Sequence, residues 1–208
     1  ANGEIIYGTS WENWDFGMLY WVNNGANTEK PKWVGEDVRE VWEETMKNSD
    51  GTEYTTHLVN GLICQAQLTK ISPNGKWIAS SYRTETPAED RLSIVTTQTA
   101  AFYNTETETT TIVSDYGESV GVHVTDDGIG FIGIGTLGIS SGAVYDLNTG
   151  TDLGSTQEWV YDNYGIIIPA GYINYVSADG RFVLGTKAES SAGGVNFINW
   201  YIAPPVAK

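Results

Sequence analysis

A nine-residue segment with an Asn-Gly or Asp-Gly pair occurs three times in the chain, at residues 72–80, 125–133 and 177–185. Residues 1–8 form a fourth copy that lacks the first residue. The glycines of these pairs are separated by 72, 53 and 52 residues, and they are Gly3, Gly75, Gly128 and Gly180. Such spacing indicates that one supersecondary unit is stacked several times along the chain.

The residues around each Asn/Asp-Gly pair predict an antiparallel hairpin. Asn-Gly and Asp-Gly favour the positive φ angles of a two-residue turn between strands. An alternating segment precedes each of the three later pairs, and a short apolar segment follows it. A second shared segment, rich in aromatic and β-branched residues, lies downstream at residues 18–23, 100–104, 142–146 and 196–201. In the middle copies it runs through a turn into one more strand, which predicts four strands per repeat.

Four short strands in about 50 residues are the blade unit of a β-propeller. Residues 72–79 resemble the start of a blade in the TolB-type and WD-repeat propellers, and residues 143–150 resemble the third strand and turn of that blade. Gly133 and Gly185, with Trp21 and Trp200 downstream, resemble repeats of secreted bacterial propeller-like proteins. The resemblance implies an all-β fold in which residues 1–208 form a single β-propeller domain or a propeller fragment.

The end repeats are incomplete in this sequence. The chain begins at the turn between the first and second strands, and it ends at residues 204–208 after a third strand. We therefore expect part of a larger ring of about six to eight blades, whose remaining strands come from another chain or a missing segment. The alternative is an open or irregular assembly of sheets.

The first repeat contains an insertion, at about residues 24–58. Within it, residues 35–47 predict a short helix, because apolar positions recur at helical spacing on one face. These positions are Val38, Val41, Trp42, Thr45 and Met46. We expect Trp42 to anchor this helix to a neighbouring blade.

The charge balance excludes several classes of partner. With 11 Lys and Arg against 26 Asp and Glu, the net charge of −15 disfavours nucleic acid and anionic membrane surfaces. No apolar run approaches the roughly 20 residues that a membrane span requires. Cys64 is the single cysteine, so the chain forms no internal disulfide, and we expect it to be a buried strand residue. Few lysines and many Trp, Tyr, Asn, Gly and Thr are typical of exported bacterial proteins.

The long loops provide the candidate binding face. In a propeller the loops between second and third strands and those between blades share one face, and the Asn/Asp-Gly turns lie on the other. Aromatic rings beside carboxylates and amides are suited to binding sugars. Residues 11–16 and 158–164 are predicted to be loops of this face. They contain the candidate ligand-binding residues Trp11, Glu12, Trp14, Asp15, Trp159, Tyr161 and Tyr164. The alternative interpretation is that these aromatic side chains pack between sheets.

The sequence favours a binding protein over an enzyme. Several acids are predicted on the same face, but no spacing selects an acid and a nucleophile among Glu12, Asp15, Glu85, Glu89 and Asp90. His57 and His123 are the two histidines, and we expect His123, on an inner strand, to point into a central channel or lie between sheets. Since the motifs of metal, phosphate and nucleophile sites are missing, we expect no cofactor. A glycan or protein ligand is the first hypothesis; a carbohydrate hydrolase and a structural subunit pairing through open strand edges are the alternatives.

Overall fold

The computed structural model describes residues 5–12, 15–22, 32–63, 70–135, 141–191 and 194–204. Within these residues the chain forms β-strands, one 3₁₀ turn and one α-helix, α1. In chain order they are β1 (Ile5–Glu12), β2 (Asp15–Val22), β3 (Lys32–Trp33), the 3₁₀ turn Glu36–Val38, β4 (Glu40–Lys47), β5 (Glu53–Ile63), β6 (Lys70–Ile71), β7 (Trp77–Pro87), β8 (Ile94–Asn104), β9 (Thr109–Val113), β10 (Ser119–Val124), β11 (Ile129–Ile134), β12 (Ser141–Asp146), β13 (Thr151–Ser155), α1 (Thr156–Tyr164), β14 (Tyr172–Val176), β15 (Val183–Ser191) and β16 (Gly194–Ile202).

The described strands form four antiparallel sheets that follow one another along the chain. The first sheet has the order β1-β2-β3, and the second has the order β4-β5-β7-β8-β9 with β6 beside β7. The third sheet is the meander β10-β11-β12-β13, and the fourth is β14-β15-β16. The prediction of an all-β fold is therefore confirmed. Cys64 and the turn at Gly3 lie outside the described residues.

Three of the repeated segments form equivalent loops between the first and second strands of a repeat. In each, the backbone N–H of a Ser or Thr before the loop donates to a carbonyl after it, and the loop glycine donates back to that Ser or Thr. The loop-closing bonds are Ser72 to Trp77 at 2.9 Å, Thr125 to Ile129 at 3.0 Å and Ser177 to Phe182 at 2.9 Å. These bonds put Trp77, Ile129 and Phe182 at equivalent positions.

The prediction of two-residue turns is wrong. The closing bonds enclose four residues in the first and third of these loops and three in the second. Gly75 has a positive φ of 79°, whereas Asn74 is not among the described residues with positive φ. The wider loop is stabilised by side chains, because the Ser72 hydroxyl accepts from Trp77 N at 3.0 Å and donates to Asn74 Oδ1 at 2.8 Å. The backbone N–H of Trp77, the Ser72 hydroxyl and the Asn74 amide oxygen thus all have hydrogen-bond partners within the longer loop.

The predicted helix at residues 35–47 is also wrong. Only Glu36–Val38 form a 3₁₀ turn, and residues 40–47 form strand β4, which pairs along its length with β5. Burial alternates along β4: Trp42 is half-buried and Met46 is buried, while Val41 and Thr45 are exposed. The same apolar residues fit a helical period and a strand period, and the long antiparallel partner decides between them.

The second, third and fourth sheets pack face to face in chain order. The core between the second and third sheets includes Trp77, Phe102, Val124 and Ile132. The core between the third and fourth sheets includes Phe131, Val144, Ile173 and Val183. Because strand side chains alternate between faces, the third sheet contributes Ile132 to one core and its neighbour Phe131 to the other. The third sheet is therefore covered on both faces.

Candidate functional site

Helix α1 lies between the third and fourth sheets in the chain and carries three of the predicted site residues. Its N-terminus is a capping box: the Ser155 hydroxyl accepts from Glu158 N at 3.2 Å, and Glu158 Oε2 accepts from Ser155 N at 2.8 Å. It ends at Gly165, whose φ of 66° is left-handed. The segment 158–164 was predicted to be a loop. The Ser155-x-x-Glu158 pattern and Gly165 are the sequence signals that indicate the helix.

The two aromatic residues on one side of α1 are packed against the sheets. The Trp159 ring meets Phe131 edge-on, with centroids 5.1 Å apart, and lies 5.8 Å from the Tyr164 ring. The Tyr164 hydroxyl donates to the carbonyl of Gly180 at 2.6 Å. Since Gly180 belongs to a repeat loop, the structure places this end of α1 beside the Asn/Asp-Gly loops and not on the opposite face as predicted. Trp159 and Tyr164 therefore have a packing role as well as a place at the surface.

A cleft of about 410 Å³ lies between α1 and two of the repeat loops. We call it the turn cleft. Its walls are the loop segments 125–127 and 177–180, the side of α1 that carries Trp159, Asn163 and Tyr164, and the flanking Pro73, Ile129 and Val176. The volume is within the range of about 300–1,000 Å³ that small-ligand sites occupy.

Three carboxylates line the turn cleft. Asp126 Oδ1 accepts from Asn74 N at 2.8 Å, and Asp127 Oδ1 accepts from the hydroxyl of Thr125. Asp179 Oδ1 accepts from the Ser177 hydroxyl at 2.6 Å. Within the described part of the chain, the hydrogen bonds that these three carboxylates accept are all at Oδ1, so the second carboxylate oxygen of each can accept from a ligand.

The hydrogen bonds around Asp179 keep that carboxyl ionised. The bond from the Ser177 hydroxyl, followed by the bond from the backbone N–H of Arg181, holds the pKa of Asp179 below its ordinary value. A carboxylate stabilised in this way accepts hydrogen bonds but is a poor proton donor at neutral pH. Asp126, Asp127 and Asp179 were not predicted as site residues because the repeat loops were assigned to the face away from the ligand. Asn163 lies in a segment that was predicted on the ligand face, but only its aromatic neighbours were selected there.

The opposite side of α1 borders a second, more open cleft of about 740 Å³. We call it the helix cleft. Its walls are Leu153, Gly154, Gln157, Glu158, Tyr161, Asp162, Ile167 and Ile168. The predicted site residue Tyr161 is exposed in this cleft and not in the turn cleft. The pKa of Glu158 is lowered by the bonds that it accepts from the backbone N–H and then the hydroxyl of Ser155.

The other predicted site residues belong to the first hairpin. Trp11 and Glu12 end β1, and Asp15 begins β2; the register places Glu12 opposite Asp15 and Trp11 opposite Phe16. These residues are therefore strand ends, whereas residues 11–16 were predicted to form a loop. Trp14 lies outside the described residues.

Three of the remaining candidate catalytic groups have structural partners. Glu85 is buried, pairs with Arg83 at 2.5 Å and accepts from Val59 N at 3.0 Å. His123 is buried between the third and fourth sheets, where its Nε2 accepts from Val176 N at 3.1 Å. Asp90 Oδ1 accepts from Leu92 N at 3.0 Å within its own loop. The carboxylates of Glu85 and Asp90 and the neutral ring of His123 thus hold strands and loops in place.

No protein-family model, curated protein or solved structure matches this chain. In the part of the chain that the structure describes, no helix is long and apolar enough to cross a membrane. Among the same residues, no three His, Cys, Asp or Glu side chains are grouped so that they can hold a metal ion. The geometry of the clefts and sheets is the basis of the functional proposal.

Proposed function

We propose that the chain is a non-catalytic binding protein that holds a glycan in the turn cleft. The observation that carries this proposal is the convergence of aromatic rings, carboxylates and an amide on one cleft of about 410 Å³. The rings are those of Trp159 and Tyr164, and the polar groups facing them belong to Asn163, Asp127 and Asp179.

The chemistry of the cleft matches a neutral sugar. The carboxylate oxygens accept hydrogen bonds from hydroxyl groups, and aromatic side chains offer apolar surface to the C–H groups of a pyranose. The net charge of −15 disfavours an anionic ligand. The three carboxylates and the amide therefore favour a ligand rich in hydroxyl donors.

We also propose that the sheets are blades of a β-propeller of the TolB-type or WD-like class. Four consecutive antiparallel sheets, two of them containing four-stranded meanders in chain order, support this arrangement. So do the equivalent loops and the face-to-face packing of neighbouring sheets. In this proposal the protein is exported, and another chain or segment completes the ring.

A carbohydrate hydrolase is the less favoured alternative. A general acid of a glycosidase needs a raised pKa so that it carries a proton at neutral pH. The pKa of Asp179 in the turn cleft and that of Glu158 in the helix cleft are both lowered by the hydrogen bonds that they accept. The lowered pKa values of these two carboxyl groups thus favour binding over proton transfer.

A protein ligand is a second candidate, and it is favoured by the helix cleft. Tyr161 is 57 % exposed and Ile167 is 88 % exposed, so this cleft has an apolar rim at the surface. Exposed apolar residues that adjoin one another in a patch mark surfaces that contact another protein. Glycan and protein binding therefore predict different clefts on the two sides of α1.

Binding of a glycan is tested by an array of neutral oligosaccharides, followed by calorimetry with the best ligand. We expect Asn163→Ala and Asp127→Asn each to weaken binding by about tenfold or more, because each removes a polar contact from the ligand. Both side chains are exposed, so the melting temperature should change little.

Tyr161→Ala is the matched control, since it removes an aromatic side chain from the same helix on the helix-cleft side. It should leave glycan affinity unchanged. Absence of any glycan ligand, or equal affinity in the two cleft variants and the wild type, contradicts the proposal. Loss of ligand binding only in Tyr161→Ala assigns the ligand to the helix cleft.

A further inference from the structure

The three repeat loops differ at the position that follows their first Ser or Thr. We number the loops in chain order, so the first spans residues 72–77, the second 125–129 and the third 177–182. This position holds Pro73, Asp126 and Ala178 in the first, second and third loops. The next position is an asparagine or aspartate in all three. The second loop alone therefore has a carboxylate at the variable position.

Asp126 closes the junction between the first and second loops. Its Oδ1 accepts from the backbone N–H of Asn74 at 2.8 Å. The side-chain amide of Asn74 donates in return to the backbone carbonyl of Asp126 at 3.5 Å. The carboxylate of the second loop thus provides the acceptor for a backbone N–H of the loop before it.

The junction between the second and third loops lacks such a side chain. Asp127 is the counterpart of Asn74, and Ala178 is the counterpart of Asp126. A methyl group accepts no hydrogen bond, and among the described residues no acceptor bonds to Asp127 N. Asp127 and Ala178 both belong to the wall of the turn cleft. The cleft therefore corresponds to the place that the Asp126 carboxylate fills at the previous junction.

The charge of the wall selects a neutral occupant for this place. A group that replaces the missing carboxylate has to offer an oxygen to Asp127 N. Asp126, Asp127 and Asp179 line the cleft, and none of the described lining residues is Lys or Arg. An ionised acid is repelled by these carboxylates, whereas a neutral carbonyl is not. The same carboxylates accept from an N–H group next to that carbonyl.

An acetamido group has these properties. Its carbonyl oxygen accepts as a carboxylate oxygen does, and its N–H takes the position of the second oxygen, where it donates to an aspartate. Its methyl carbon corresponds to the Cβ of an aspartate, and Ala178, Ile129 and Val176 give the wall apolar surface for it.

We infer that the turn cleft binds glycans through the acetamido group of a 2-acetamido sugar. The acetamido carbonyl accepts from Asp127 N, and the apolar face of the sugar ring lies beside Trp159. The inference rests on the proposed glycan binding and names the substrate class of that site.

Matched oligosaccharides test the inference by calorimetry with the wild-type protein. Three β-1,4-linked tetramers carry an acetamido, an ammonium or a hydroxyl group at carbon 2 of each glucose unit and are otherwise identical. The same three groups on galactose units repeat the comparison for the other configuration at carbon 4. In at least one series we expect the acetamido form to bind about tenfold more tightly than the other two, because its carbonyl and its N–H both find partners.

Ala178→Asn is the diagnostic substitution. It gives the third loop an amide oxygen where the second loop has the Asp126 carboxylate, and it adds no charge. The new oxygen should accept from Asp127 N and displace the acetamido group, so affinity for the acetamido tetramer should fall about tenfold. Affinity for the hydroxyl tetramer should fall less, so the preference between the two is lost. Ala178 is exposed, so the melting temperature should change little.

Ala88→Asn is the matched control. It makes the same substitution in the loop between β7 and β8, and Ala88 is not part of the turn-cleft wall. Affinity for all of the tetramers should equal that of the wild type.

Two results overturn the inference while glycan binding itself stands. One is wild-type affinity for the hydroxyl or ammonium form that equals or exceeds affinity for the acetamido form in both series. The other is a folded Ala178→Asn protein that keeps the wild-type preference. If no tetramer and no glycan of the array binds, the proposed function fails together with the inference. The wild-type comparison needs no variant, so it tests the inference even if Ala178→Asn does not fold.

Discussion

His123 shows how one side chain joins two sheets of this molecule. Its Nε2 accepts from Val176 N, and its ring lies between those of Phe131 and Tyr175, 5.7 and 5.4 Å away. An accepting Nε2 requires the neutral imidazole with its proton on Nδ1. Burial, and to a smaller degree the charge of Lys70, lower the pKa of His123 to about 4, and the charge of Asp126 opposes them only in part.

This lowered pKa predicts a loss of stability in mild acid. The unfolded chain binds a proton at His123 near pH 6.5, whereas the folded protein does so only near pH 4. Stability is therefore complete above about pH 6.5 and falls as the pH decreases towards 4, by up to about 3 kcal/mol. Urea unfolding of wild type and His123→Gln at several pH values measures the effect. The variant should lose less stability between about pH 7 and pH 4.5, and equal slopes for both proteins would refute the assignment.

The sequence predicted the strand position of His123 but left its surroundings open. Alternation with Val122 and Val124 places it on one face of β10, and both a channel and an inter-sheet position fit that pattern. The structure selects the inter-sheet position. The choice depends on Tyr175 and Val176, more than 50 residues away, so no local pattern contains it.

At the scale of the element, the positions of the repeat loops were predicted correctly, but their length was not. The Asn/Asp-Gly pairs locate the loops, since glycine supplies the positive φ that each loop needs. The loop length depends on the hydroxyls of Ser72, Thr125 and Ser177, which bond across the loop. A two-residue turn rule takes no account of these side chains.

The wrongly predicted helix at residues 35–47 and the helix that was not predicted, α1, have different explanations. Residues 40–47 satisfy both periods, and pairing with β5 makes them a strand, which is tertiary information. Residues 156–164 carry local signals, the capping box at Ser155 and Glu158 and the terminal Gly165, so this helix was within reach of the sequence. As a result, the turn cleft, which needs α1 beside the repeat loops, was not predicted.

The packing of β10 on the second sheet predicts a strict need for glycine at position 121. A Cβ there would lie 2.7 Å from the carbonyl oxygen of Ser80 and 2.9 Å from that of Ala101. Because backbone atoms cannot rotate away, we expect Gly121→Ala to lower the free energy of unfolding by about 1–3 kcal/mol. Urea denaturation measures it.

Gly61→Ala is the control for this substitution. Gly61 lies in β5, and the nearest atom to an added Cβ is Arg39 Cγ at 3.5 Å, an ordinary contact. We expect a change within about 0.5 kcal/mol. Equal destabilisation by the two substitutions would mean that the cost comes from the loss of glycine and not from close approach of the sheets.

At the scale of the whole molecule, the repeat predicted strands in the right order but not which surface is uncovered. Phe102 in the second sheet and Tyr201 in the fourth occupy equivalent positions in their third strands, opposite Ala79 and Leu184. Both are aromatic, yet Phe102 is fully buried and Tyr201 is 70 % exposed. The difference lies in the presence of a following sheet, so a residue pattern that repeats cannot encode it.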